Sequence, residues 1–233
     1  MRIMTSDRKL TPSWDLVKPS IALVRQYIWH VLYLSFLPGL LMLVSLVLLG
    51  GIDASTDPIT TLEPRQTVGA IIFVVALLWS IVAMPAFVYL QLKAVNGDMP
   101  SITECYRKSF GYLLPLIGMY IVGTFLIVLG LIAFIVPGLL LIRGFLLAPY
   151  YVVDKKLGPV AALKQSYHDS RDISVYIWGV IGVTAIFGLL GSIAGIVPVI
   201  GTFLSLAAGY IYIFGEPLRY VEVIKGKLAK LPS

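Results

Sequence analysis

Residues 109–153 read SFGYLLPLIGMYIVGTFLIVLGLIAFIVPGLLLIRGFLLAPYYVV, 45 residues with a single charge, Arg143. A helix crosses the apolar core of a bilayer in about 20 residues, whereas this stretch as one helix would reach about 65 Å. It must fold back on itself, and Gly130 with Pro137-Gly138 is the punctuation expected at the reversal. Residues 173–215 repeat the situation with 43 uncharged residues, interrupted by Gly191, Gly195 and Pro198. The uncharged runs 26–52 and 66–92, 27 residues each, suit one span apiece. The expected fold is all-α: a polytopic integral membrane protein with six transmembrane helices paired as three hairpins. The expected spans are 27–50, 67–92, 111–131, 136–153, 173–195 and 198–220. They form a single membrane domain, 27–222, between an N-terminal segment, 1–26, and a basic tail, 223–233.

Composition agrees. Of 233 residues 58% are hydrophobic and only 13% charged, with a mean hydropathy of +0.92. A soluble domain carries about 25% charged residues, so this chain has too little polar surface to coat a globule in water. A soluble enzyme, a disordered tail and a disulfide-stapled secreted module are excluded on that ground. The lone cysteine, Cys105, has no second thiol in the chain to pair with. The first apolar run begins after about 25 mostly polar residues and is too long for a signal-peptide core, so a retained span is expected there.

Lys and Arg give the orientation, because acidic residues contribute little to it. If the first span runs outward, 16 of the 18 basic residues fall on one side of the bilayer. Arg65 stands alone on the other side, and Arg143 lies within a span. Both termini are thus expected in the cytoplasm of a bacterial inner membrane. The formal net charge of +6 reads as this inside bias against anionic headgroups, with no nucleic-acid partner. Arg25, Arg107, Lys108, Lys155, Lys156 and Lys164 are the expected membrane-surface cations.

Each hairpin is expected to follow a short amphipathic helix. Pro19-Ser20-Ile21, Pro100-Ser101-Ile102 and Pro159-Val160 open the three segments, proline suiting a first helical turn. Apolar residues then recur at helical spacing: Ile21, Val24 and Ile28; Ile102, Cys105 or Tyr106, and Phe110; Val160, Leu163 and Tyr167. Ser101 and Glu104 have capping-box spacing. Small residues pattern the later spans: Gly191 and Gly195, then Gly201, Ser205 and Gly209, four apart, a stripe that lets helices approach closely. That stripe packs spans five and six or forms a homo-oligomer face.

Little in the chain carries chemistry. His30, His168 and Cys105 make no metal-ligand spacing, no phosphate-cradling glycine loop is present, and no catalytic set is expected. No cofactor is expected either. His168, Asp169 and Asp172 read as a solvated inner-loop cluster. Arg143 is the candidate ligand-binding residue, since a guanidinium within a span costs at least about 2.5–3.5 kcal/mol. It would bind a phosphate or carboxylate bidentately, or else satisfy carbonyls near Pro137-Gly138 or snorkel to the outer headgroups. Glu216, before Pro217, is expected to pair with Arg219 or a basic loop.

Three stretches also resemble a family: Ile135-Val136-Pro137-Gly138-Leu139-Leu140-Leu141-Ile142-Arg143, Ala148-Pro149-Tyr150-Tyr151-Val152-Val153-Asp154, and Gly158-Pro159-Val160-Ala161-Ala162-Leu163-Lys164-Gln165-Ser166. They are similar to the membrane domain of glycerophosphoryl diester phosphodiesterases and to six-helix bacterial membrane proteins of the YciC and DUF975 types. The resemblance covers about residues 135–170. It implies an all-helical bacterial membrane module with a lipid-associated role, and no phosphodiesterase activity, which belongs to a separate barrel domain in the fused proteins. The expected function is non-enzymatic: binding or handling of an anionic lipid or amphiphile through Arg143. A structural subunit of a membrane complex, docking on a protein partner, and a small-solute transporter or channel stay open as alternatives.

Overall fold

The computed structural model describes residues 10–49, 64–194 and 208–226, and these form helices and turns with no strand among them. A 3-10 turn, Ser13–Leu16, leads into α1 (Val17–Gln26), α2 (Ile28–Val31), a π-helical stretch Leu32–Phe36 and α3 (Leu37–Leu49). Then come α4 (Pro64–Val95), α5 (Ile102–Ala133), α6 (Ile135–Phe145), α7 (Ala148–Lys155), α8 (Pro159–Asp172), α9 (Ser174–Ala194) and α10 (Gly215–Lys225). Residues 208–211 are also helical.

Among the described residues, five helical stretches are long and apolar enough to cross a membrane: Ile28–Leu49, Pro64–Val95, Ile102–Ala133, Ile135–Lys155 and Ser174–Ile193. Their outward faces carry large apolar side chains, such as Leu114, Ile132 and Val175, each more than three-quarters exposed. A surface of that kind is solvated by lipid, not water. Residues 198–207 of the sixth expected span lie outside the described residues, as do Gly195 and residues 227–233, and with them Gly201 and Ser205.

Local chemistry explains the breaks. Pro38 has no N–H to donate and its ring crowds the carbonyl of the preceding turn, and the π-helical stretch ends just before it. The reversal inside 109–153 falls at Phe134, whose extended backbone (φ −162°, ψ 142°) separates α5 from α6 by one residue. Pro137-Gly138 sits in the first turns of α6 and not in the turn itself. Proline is tolerated there because that N–H has no intrahelical acceptor. Gly138 serves packing: a Cβ on it would lie 2.4 Å from Leu131.

The amphipathic leads differ from one another. Ser101 caps α5 by accepting from the Glu104 N–H at 3.1 Å, half of the expected capping box. That lead then runs unbroken into its span as one 32-residue helix. Of the first expected stripe, Ile21 and Ile28 are exposed while Val24 packs partly buried against the core, and Leu16, Ser20, Leu23 and Tyr27 are buried. Like α1, which ends at Gln26 before its span begins at Ile28, α8 is a separate helix, with Pro159 at its start. It packs on α5, α6 and α7.

The core lies where the buried half of α4, residues 148–153 of α7 and α10 meet under the N-terminal segment. Thr11 N–H and Oγ1 both donate to Glu222 Oε1 at 2.7 Å, and Arg219 Nη2 donates to the Thr11 carbonyl at 2.7 Å. Val223 is buried within α10, so the helix extends past the expected end of the membrane domain at 222.

Candidate functional site

The expected cations on α8 lie beside an apolar groove. Lys164, His168 and Arg171 occupy positions i, i+4 and i+7 of the helix and are exposed, so they form one row. They line a depression of about 430 Å³ with Leu157, Ala161, Gln165 and Tyr167. A second, nearly all-apolar groove of about 240 Å³ lies between α5 and α6, on Val122, Leu126, Leu141 and Phe145, and under Val160 and Leu163. Lys164 and Tyr167 belong to both.

Glycines decide how α8 docks. A Cβ on Gly144 would meet the Tyr167 ring at 2.3 Å, and one on Gly118 would lie 3.2 Å from Pro159. Leu163, 4% exposed, lies over Gly123. Ser166 Oγ donates to the Gly144 carbonyl at 2.6 Å. With these residues on its inner face, α8 turns its basic row outward. None of Gly118, Gly123 or Gly144 belonged to the small-residue stripe read from the sequence; glycine recurring on α5 five residues apart was the available signal.

Arg143 faces elsewhere. It lies two residues from both Leu141 and Phe145, about 200° around α6 from the groove they line. It is 7% exposed and donates through Nη1 to Ser174 Oγ at 2.9 Å, at the start of α9. Its Nε has no partner among the described residues. It bonds no carbonyl near Pro137-Gly138.

A polar cluster the sequence did not bring together sits in the core. Glu216 does not pair with Arg219. Its Oε2 lies 3.4 Å from the Tyr150 phenol, which also reaches Gln91 Oε1 at 3.2 Å. Gln91 Nε2 in turn donates to the Ile213 carbonyl at 2.8 Å, a group exposed where the chain turns into α10. Arg219 forms its ion pair with Glu222. Glu216 faces two cavities, of about 330 and 220 Å³, that share Tyr120 and Pro149 with it. Gly188 and Gly209 line the larger one, with no heavy atom within 4 Å of an added Cβ, so here small residues leave space.

The remaining candidates are dispersed. Arg25, Arg107, Lys108, Lys155 and Lys156 are exposed, and Gly191 is buried. Asp169 accepts from Tyr151 and from Gln165, while His168 and Asp172 are exposed. Cys105 is buried. No group of three or more His, Cys, Asp and Glu among the described residues is placed to hold a metal ion.

Compared with known proteins, the chain matches no family model, no curated protein and no solved structure.

Proposed function

We propose that the chain is a non-enzymatic integral membrane protein of the bacterial cytoplasmic membrane that binds an anionic phospholipid at α8. Six spans with both termini cytoplasmic complete the reading. The span count rests on the length of the uncharged run 173–215, and the orientation on the one-sided placement of Lys and Arg. One observation carries the lipid assignment: the apolar groove and the basic row share Lys164 and Tyr167. An acyl chain lies along Val122, Leu126, Leu141 and Phe145, and the headgroup phosphate meets Lys164 and Arg171. Apolar surface and positive charge on one interfacial helix are the two things such a lipid requires. Arg143 is outside this contact; it ties α6 to the start of α9.

Native mass spectrometry of protein from nanodiscs of mixed phosphatidylglycerol and phosphatidylcholine tests the proposal, with the Lys164→Gln/Arg171→Gln double variant and Arg143→Gln alongside. The wild type and Arg143→Gln retain phosphatidylglycerol. The double variant loses at least about tenfold of it, as expected for two cations worth roughly 1 kcal/mol each at an anionic surface. Loss in Arg143→Gln with retention in the double variant would move the headgroup into the bundle and overturn the α8 site.

A further inference from the structure

The lipid site uses none of the residues around Glu216. That carboxylate faces the 330 Å³ cavity, and its one hydrogen-bond partner among the described residues is the neutral Tyr150 phenol. No Lys, Arg or His lies within ion-pair distance of it among those residues; Arg219, one turn along α10, is turned to Glu222, Thr11 and Ser13. The carboxylate is half-buried, and an ionised group partly removed from water is disfavoured without a countercharge. The cavity walls are aromatic on several sides: Phe87 from α4, Tyr120 from α5, Tyr150 from α7, Phe187 from α9 and Tyr212 before α10. Aromatic faces attract cations, most strongly where water is excluded. Gln91, 5% exposed, donates one amide N–H to Ile213 and accepts at Oε1 from the Tyr150 phenol beside Glu216.

A single anionic group, aromatic walls and a volume at the lower end of small-molecule pockets are the features of a site for one kind of ligand. We infer that the cavity between α4, α7, α9 and α10 binds a small lipophilic ammonium ion, its positive nitrogen at Glu216 and its apolar body against Phe87, Phe187 and Tyr212. The site is independent of the lipid reading, because its residues and its ligand's charge are both different.

The probe is benzyltrimethylammonium, compared with neopentylbenzene, which replaces the charged nitrogen by carbon at the same shape. Thermal unfolding of the full chain in neutral detergent is followed as each is added. Benzyltrimethylammonium raises the wild-type midpoint in a saturable way and neopentylbenzene does not. In Glu216→Gln the concentration for half-maximal effect rises at least about tenfold, the loss of one ionic contact. Lys164→Gln/Arg171→Gln leaves the response unchanged. Equal responses to the two probes would overturn the inference, as would no response to either at millimolar concentration, or an undiminished response in Glu216→Gln. The probe comparison is made on the wild type, so it decides even if the variant does not fold.

Discussion

Arg219 forms its ion pair with Glu222, three residues on, and leaves Glu216, one turn back along α10, to Tyr150. The pair is buried, Arg219 fully and Glu222 to within 5%. Glu222 Oε1 also accepts from Thr11, Arg219 Nη2 donates to the Thr11 carbonyl and to Ser13, Arg219 Nε has no partner among the described residues, and the guanidinium lies 5.3 Å from the centroid of the Tyr176 ring. Thr11 and Ser13 are thus held to α10 through this hydrogen-bonded ion pair.

Removing one member of a buried pair strands the other. Glu222→Gln should destabilise the protein by about 3 kcal/mol, within the range for breaking a buried ion pair. Thermal unfolding in detergent measures this. A midpoint equal to that of the wild type would show that the N-terminal segment does not rest on this contact.

The fit of α8 depends on the missing side chain at Gly144. Gly144→Val should force the Tyr167 ring aside and break the Ser166 contact, which is worth about 1 kcal/mol alone. Trypsin provides the readout, since Lys164 and Arg171 lie on α8. The variant should be cut there faster than the wild type, and Ser166→Ala should fall between the two.

Arg143→Gln should change stability by no more than about 1 kcal/mol. It exchanges an uncompensated buried charge, costly in itself, for an amide that can still meet Ser174. Unfolding in detergent checks the magnitude. A large loss of stability would mean that the guanidinium has an anionic partner beyond the described residues.

Topology is testable by labelling, helped by the burial of Cys105, which keeps the wild-type background low. In intact cells a membrane-impermeant maleimide should label Ser55→Cys, in the expected outer loop, and spare Gln165→Cys on α8. The reverse pattern would invert the orientation. Labelling at neither position until the cells are opened would place both loops inside.

The small-residue reading illustrates how sequence and structure divide the work. Spacing alone marks Gly191 and Gly209 equally, yet Gly191 is buried while Gly209 borders a cavity. The glycines that do bring helices together, Gly118, Gly123 and Gly144, act against residues of α8 that lie roughly twenty to forty positions away. Their role depends on the angle at which α8 crosses the hairpin.

By itself the sequence determined that the chain is helical and built for a membrane, where its long uncharged runs lie, and which exposed cations α8 carries. These properties are sums over consecutive residues: the cost of placing charge in hydrocarbon and the gain of burying apolar side chains accumulate along the chain, so counting suffices. The Ser101 cap was legible for a related reason, since its partner is three residues away. Only the tertiary structure decided that Glu222 and not Glu216 takes Arg219, that Gln91, Tyr150 and Glu216 meet, and that Arg143 turns from the groove. Those outcomes are directional. In a low-dielectric interior a hydrogen bond or ion pair is gained or lost over about an ångström, and which side chains come that close is set by how the helices cross.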